Sequence, residues 1–282
     1  MKLLVTGATG FIGNYVIQEL LNRNIEVIAT STNQEKAHKL SWFSKVVYLP
    51  YQIKGKDTQD LYEYFGRPNK IIHLAWTGLP NYTQLFHIEE NLWNDYFFLK
   101  NIMENGCKDL TITGTCFEYG LIEGCLNEET IPNPQNVYAI AKDSLRKFLS
   151  ELQKHTAFDF KWVRLFYMYG KGQAQNSLIP QLEKVLANNE TIFNMSGGEQ
   201  VRDYMKVEEV AQKIVAIALQ NNTQGIINCA TGKPVKVKDF VKQYLQTKNK
   251  NIQLNLGYYP YSKIEPMSFW GDVNKINSIE NV

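Results

Sequence analysis

Short β-branched runs alternate with helical patterns through the first 166 residues. "KLLVTG" reads as a strand. Residues 12–22 follow with Val16, Ile17, Leu20 and Leu21 on one helical face. "EVIAT" is the second strand, and "KVVYL" and "KIIHLA" come after a polar segment. Residues 84–105 read as a long amphipathic helix, "DLTITG" as a strand, residues 137–154 as a helix and "KWVRLF" as a strand. Alternation on this scale predicts parallel strands joined by crossover helices, an α/β fold with a doubly wound parallel sheet. After residue 170 the pattern loosens. Residues 177–188 and 207–220 look helical, with small strands around "ETIFN" and "GIINCA".

Composition sets the bounds. The 282 residues are 44% hydrophobic and 21% charged, ample for a sizeable core in one or two domains. Net charge is +2, with acids and bases evenly spread. No basic stripe points to nucleic acid, and no apolar run approaches the roughly 20 residues of a membrane span. Neither nucleic acid nor membrane is expected as a partner. "MKLLVTGATGFIG" enters a strand-like run at once, and we expect no signal peptide. Cys107, Cys116, Cys125 and Cys229 have no metal-type CxxC spacing. Reduced thiols in a cytoplasmic protein, with no metal, are the expectation.

"TGATGFIG" places Gly7, Gly10 and Gly13 after the first strand and at the start of the first helix. Glycines there let the backbone turn tightly and approach a pyrophosphate, while the helix N-terminus supplies N–H donors. The strand–turn–helix context supports a dinucleotide-binding, Rossmann-type reading over a turn that merely packs strand on helix. We expect residues 1–168 to form that domain. Residues 169–282 would form a smaller, mainly substrate-binding lobe, with segments around 206–232 returning to the Rossmann domain. Thr9, Phe11 and Ile12 belong to the same cradle. So do Leu74, Ala75 and Trp76, which follow the fourth strand. After the second strand the chain carries Ser31 and Thr32 where NAD sites usually hold an acid for the ribose. NADPH is therefore expected, and NADH also fits.

"NVYAIAKDSL" puts Tyr138 and Lys142 one helical turn apart, with only Ala139, Ile140 and Ala141 between them. A ketone reductase must deliver hydride to carbon and a proton to oxygen. A free tyrosine titrates near about 10, and a nearby ammonium favours the phenolate and lowers that value. Thr115, ending a central strand in "TITGTCFEYG", offers a hydroxyl to hold the substrate oxygen as charge develops. Read alone, the Tyr–Lys pair is an ordinary half-exposed helical pair. Following a glycine loop and a threonine-bearing strand end, it reads as catalytic.

"TGATGFIG", "HLAW", "TGTCFEYG", "YAIAK" and "VRLFYMYGKGQ" together resemble the extended short-chain dehydrogenase/reductase superfamily. The sugar-nucleotide epimerase, dehydratase and reductase branch fits best. The resemblance implies Thr115, Tyr138 and Lys142 as catalytic residues and Gly7, Gly10 and Gly13 as cofactor residues, and Lys142 is expected to hydrogen-bond the nicotinamide ribose as well. Related 4,6-dehydratases carry Asp-Glu after the catalytic threonine, and here Cys116 and Phe117 stand there. Dehydration is therefore not expected. "HLAWTGLPNY" and "GTCFEYG" further resemble short reductases of nucleotide-linked 4-keto-6-deoxyhexoses, of the CDP-abequose synthase and dTDP-fucose synthase type. The expected activity is NADPH-dependent reduction at C4 of such a nucleotide sugar. A 4-epimerase that retains NAD is the alternative, and a non-enzymatic dinucleotide sensor comes third.

The same resemblance places Asn176 of "QNSLIP" against the nucleotide diphosphate and Arg202 of "EQVRDYMKVEEV" against the nucleotide phosphate or base. Tyr82 is expected to face the sugar, with Cys116 nearby. Glu118 reads equally as a substrate contact or an exposed loop acid. His73 reads as a satisfied core histidine. His87 and Glu90 would cap a helix or contact a neighbour. Residues 84–105 and 137–154 should pack side by side, and the resemblance implies that they meet a second copy in a homodimer.

Overall fold

The structure, a computed structural model, describes residues 1–279. Its centre is a seven-stranded parallel sheet. The strands are β1 (Lys2–Thr6), β2 (Glu26–Thr30), β3 (Val47–Tyr48), β4 (Lys70–His73), β5 (Asp109–Thr115), β6 (Asp159–Leu165) and β7 (Gly225–Cys229). Their order across the sheet is β7-β6-β5-β4-β1-β2-β3. The direction of winding reverses between β1 and β4, which opens a crevice at the strands' C-terminal ends.

Successive side chains of a strand point to opposite faces, and the core divides accordingly. Leu3, Val5, Val27, Ala29, Ile72 and Val163 face one way, against α1 (Phe11–Asn22). Leu4, Ile28, Ile71, Leu110, Ile112 and Trp162 face the other, against α2 (Leu92–Glu104) and α3 (Val137–Gln153). Each of the Val, Leu and Ile side chains contributes roughly 1.5–3 kcal/mol when fully buried, so one register slip in a central strand would forfeit both faces.

The expected long helix over residues 84–105 is an unbroken helical run over His87–Glu104 that opens irregularly. A wide π-helical turn occupies His87–Asn91 before α2 begins. Such a turn admits one extra residue, and it directs both His87 and Asn91 inward, where they are buried.

Beyond residue 170 lie α4 (Leu178–Ala187), α5 (Val207–Leu219) and α6 (Val237–Thr247). Val210, Ile214 and Ile217 of α5 join the core that holds α1, and β7 pairs with β6. Helices α4 and α6 build a separate core with Phe193, Met195 and Ile252. Small pairings tie this part together, among them Tyr167–Tyr169 beside Tyr204–Lys206.

Candidate active site

The glycine loop leaves β1 at Gly7, whose φ is +66°. A Cβ there would sit 2.8 Å from Ala75 N and 2.9 Å from Leu74 C, the backbone just after β4. At Gly13 a Cβ would fall 2.3 Å from Gly7 O, so the helix can approach the turn only without a side chain. Gly10 caps α1 and no side chain satisfies the first N–H groups. Those donors and the partial positive charge of the helix end suit a pyrophosphate. Thr6 fixes the facing loop: its Oγ1 accepts N–H from Leu74 (3.1 Å) and Ala75 (3.2 Å). The Thr6 proton therefore goes to His73 Nδ1 at 3.0 Å. The His73 ring proton then sits on Nε2, 3.4 Å from Asp95 Oδ1 yet without a hydrogen-bond partner, so this core histidine is satisfied on one nitrogen only. Thr9 lies buried in the loop, while Phe11 and Ile12 open α1 half-buried. Ser31 Oγ is hydrogen-bonded to the Tyr48 hydroxyl at 2.9 Å, and Thr32 is exposed. Lys36 lies in a short helix capped by Asn33.

The segment Trp76–Tyr82 crosses the sheet's edge toward α3. Tyr138 N–H donates to Tyr82 O at 3.0 Å, and Asn136 caps the helix by accepting from Ala139 N at 2.9 Å. Tyr138 is thereby set against Tyr82 (centroids 5.6 Å apart), Trp76 (5.9 Å) and His87 (5.4 Å). Trp76 Nε1–H donates to His87 Nδ1 at 3.0 Å, so His87 donates through Nε2 to Asn81 O. Burial pulls the His87 imidazole below its ordinary value. Asn91 holds Thr77, accepting from its hydroxyl at 2.7 Å and donating to its carbonyl at 3.0 Å.

Thr115, Tyr138 and Lys142 all end up buried, at 7%, 7% and 2% exposure. Burial pushes the Tyr138 phenol up, with the charges of Tyr82 and Glu118 adding to it, and the Thr115 side chain works against the rise. The expectation that the Lys142 ammonium lowers this phenol is not met in this geometry. Lys142 Nζ lies over the Trp76 ring, 4.3 Å from its centroid, and 5.7 Å from that of Trp162. Burial brings the Lys142 ammonium down to about 8, against the pull of Asp95 and Glu118.

Glu118 corrects both readings made from sequence, since it is neither an exposed acid nor a substrate contact. Its side chain is 0% exposed and paired with Arg164 at 2.7 Å. Cys116 is also buried, and desolvation, then the charge of Glu265, pushes its thiol well up. All four cysteines are free thiols. Tyr82 is half-buried and its phenol is pushed up to about 12, by burial first and Glu265 second. Arg202 differs from expectation as well. It is 2% exposed, donates to Val201 O and Met267 O, and pairs with Glu265 at 3.0 Å. Glu265 also accepts from the Tyr167 hydroxyl. A phosphate would have to displace that carboxylate to reach the guanidinium. Asn176 is exposed just ahead of α4, its carbonyl accepting from Gln181. Among the described residues there is no cluster of three or more His, Cys, Asp or Glu side chains that could hold a metal. Nor is any described helix long and apolar enough to cross a membrane.

Residues 3–230 match the model of the NAD dependent epimerase/dehydratase family. The chain belongs to that family. Within it, the chain is 28% identical over 273 residues to dTDP-6-deoxy-L-talose 4-dehydrogenase (NAD(+)) of Aggregatibacter actinomycetemcomitans, spanning 96% of this chain and 99% of the relative. It is 25% identical over 254 residues to dTDP-4-dehydro-6-deoxyglucose reductase of Escherichia coli, spanning 85% and 79%. In fold it matches UDP-glucuronic acid 4-epimerase from Bacillus cereus, solved with UDP-glucuronic acid and NAD. The TM-score is 0.83 at 22% identity, with 99% and 92% covered. An epimerase/dehydratase-family glycine loop thus meets a sheet edge where Tyr138, Lys142 and Thr115 are gathered. Sequence reasoning did not find Asn91, Asp95, Trp162, Arg164 or Glu265. Only Asn91 and Asp95 had a local signal, as polar residues on the inward side of an amphipathic segment.

Proposed function

We propose that this protein reduces the C4 keto group of a nucleotide-linked 4-keto-6-deoxy sugar. The observation that carries the reading is the buried Tyr138 phenol, beside Thr115 and one turn from Lys142, at the C-terminal edge of the sheet. Two relatives whose names specify chemistry at C4 of dTDP-linked 6-deoxy sugars support it.

The glycine cradle fits a nicotinamide dinucleotide, with Gly7, Gly10 and Gly13 admitting the pyrophosphate and Leu74, Ala75 and Trp76 lining the facing side. When bound, the dinucleotide supplies the hydride. The chain's own groups do the rest. Tyr138 stays protonated through neutral pH, because burial raises it, and donates its proton to the sugar oxygen. Thr115 holds that oxygen as charge builds. Lys142 keeps a positive charge in a dry site. Tyr82 and Cys116 line the sugar's side, and Asn176 and Arg202 take the diphosphate once Glu265 gives way.

NADPH is the proposed reductant, on the absence of a carboxylate at Ser31 and Thr32. NADH is the competitor, since the talose relative is named for NAD(+). Residues 169–282 are assigned mainly to the substrate lobe and residues 1–168 to the dinucleotide domain, in a cytoplasmic enzyme. Trp93 is 43% exposed on α2, beside Phe148 of α3 at 5.6 Å, and Ile140 is exposed on α3. This apolar face is proposed to meet a second copy in a homodimer.

The test is incubation with NADPH or NADH and a panel of dTDP-, CDP- and GDP-linked 4-keto-6-deoxy sugars, following loss of nicotinamide absorbance. Oxidation of the cofactor with one member of the panel is expected. Interconversion of 4-hydroxy sugars by protein carrying tightly held NAD, without added reductant, would instead establish the epimerase.

A further inference from the structure

Glu118 follows Thr115 by one short turn, Cys116–Tyr119, and folds back upon it. Its Oε1 accepts the Thr115 backbone N–H at 2.8 Å, while Thr115 Oγ1 accepts Phe117 N–H at 3.3 Å. The turn is a capping box closed by a carboxylate. That carboxylate also receives the Trp162 indole N–H, 2.9 Å from Oε1 and 3.0 Å from Oε2, and Arg164 Nε–H on Oε2 at 2.7 Å. Both side chains of the Glu118–Arg164 pair are 0% exposed.

Stability does not explain this arrangement. A buried ion pair is often matched or exceeded by apolar residues of the same size. Here the pair is also incompletely met, for neither Arg164 Nη finds a hydrogen-bond partner. The chain makes a further concession. A Cβ on Gly114 would lie 2.1 Å from Trp162 Nε1 and 2.4 Å from Glu118 Oε1, so glycine is required beside the carboxylate. The carboxylate thus holds this indole by its N–H edge, while the ring itself lies toward Lys142, whose Nζ is 5.7 Å from the centroid.

We propose that Glu118 is a positioning residue of the active site, a single buried carboxylate that fixes Thr115 through its backbone and Lys142 through the Trp162 ring. Gly114, Glu118 and Trp162 then work as one unit beneath the reacting groups. The inference rests on the roles given above to Thr115 and Lys142. The charged and titratable groups facing Lys142 are Asp95 from α2, His87 from the π-turn, Tyr138 from its own helix and Glu118 from the turn after β5. Of these, Asp95 and Glu118 favour its charged form.

Two measurements separate this role from a structural one. The first needs no substrate: NMR titration of lysine 13Cε resonances, with Lys142 assigned by its loss in Lys142→Met. Glu118→Gln keeps the shape but removes the charge, and the Lys142 midpoint should move down by half a pH unit or more. The second is turnover with the active keto sugar. There kcat should fall tenfold or more, KM should change less than threefold, and the alkaline limb should move down with the midpoint. Glu118→Asp keeps the charge but is one methylene too short to hold Thr115 N–H. It should leave the midpoint in place while kcat falls, and it serves if the glutamine variant does not fold. An unmoved midpoint in Glu118→Gln, or undiminished kcat in Glu118→Asp, would overturn the proposal. If no keto sugar is turned over by the wild-type protein, the functional reading fails, and the titration still decides whether Glu118 governs Lys142.

Discussion

Lys142 Nζ and the Trp76 indole face each other at 4.3 Å, and the same indole meets Tyr138 edge-on at 5.9 Å. Trp76 is held by its N–H on His87 Nδ1, so it cannot rotate away without losing a hydrogen bond. The ring thus sets the distance between the ammonium and the phenol. A desolvated cation–π contact is worth about 2 kcal/mol. Trp76→Leu should lower kcat on the order of tenfold, and Trp76→Phe, which keeps a face for Lys142, should recover part of the loss. Steady-state kinetics with both variants checks this.

The pH dependence follows from the folded-state value of Lys142, about 8 against an ordinary 10.5. Turnover that needs the ammonium should fall as pH rises through about 8. The sign for stability is the opposite. A base whose folded value lies below its unfolded value binds fewer protons folded, so stability rises with pH between those two values. Below about 8 the full cost of the buried charge is present. Lys142→Met should therefore abolish turnover yet raise the melting temperature at pH 7. Scanning calorimetry beside the turnover assay measures both.

Asp109 and Thr115 stand at opposite ends of β5. Asp109 accepts from Lys70 Nζ and Lys161 Nζ, each at 2.7 Å, all three side chains being buried. Asp109→Asn would remove the carboxylate that both buried cations share, leaving Asp159 as the remaining negative charge acting on Lys161, at a cost of about 3 kcal/mol. Burial already pulls the Lys161 ammonium down, so part of that cost can be met by losing a proton. Urea unfolding should show the destabilisation, while kcat at low temperature should stay within twofold of wild type, because the cluster lies at the far rim of the sheet.

The doubly wound sheet was legible from hydrophobic periodicity because its central strands bury both faces, and such runs stand out against polar helices' outer faces. The glycine loop was legible because positive φ and close backbone approach leave few other residues possible. Tyr138 and Lys142 could be paired because helical spacing is fixed. What the sequence hid was long-range. Glu118 meets Arg164 and Trp162 from a strand more than forty positions away, and no local pattern reports that. Glu265 covers Arg202 from a distant loop for the same reason. The π-turn at His87–Asn91 was missed because one inserted residue shifts helical phase without disturbing composition.

The cradle itself can be tested by one methyl group. In Gly13→Ala the new Cβ meets Gly7 O and Ala8 O, at 2.3 Å and 3.0 Å, and must push α1 away from the loop. Titration of reduced nicotinamide fluorescence should show affinity lowered a hundredfold or more, while circular dichroism stays that of a folded α/β protein.

The Tyr138 hydroxyl is the proton donor on which the proposed reaction depends, and Tyr138→Phe removes that one oxygen from an otherwise unchanged ring. With the active keto sugar and NADPH, the variant should lose at least a thousandfold in kcat while binding the dinucleotide as the wild type does. Turnover at the wild-type rate would contradict the assignment and with it the mechanism built around this site.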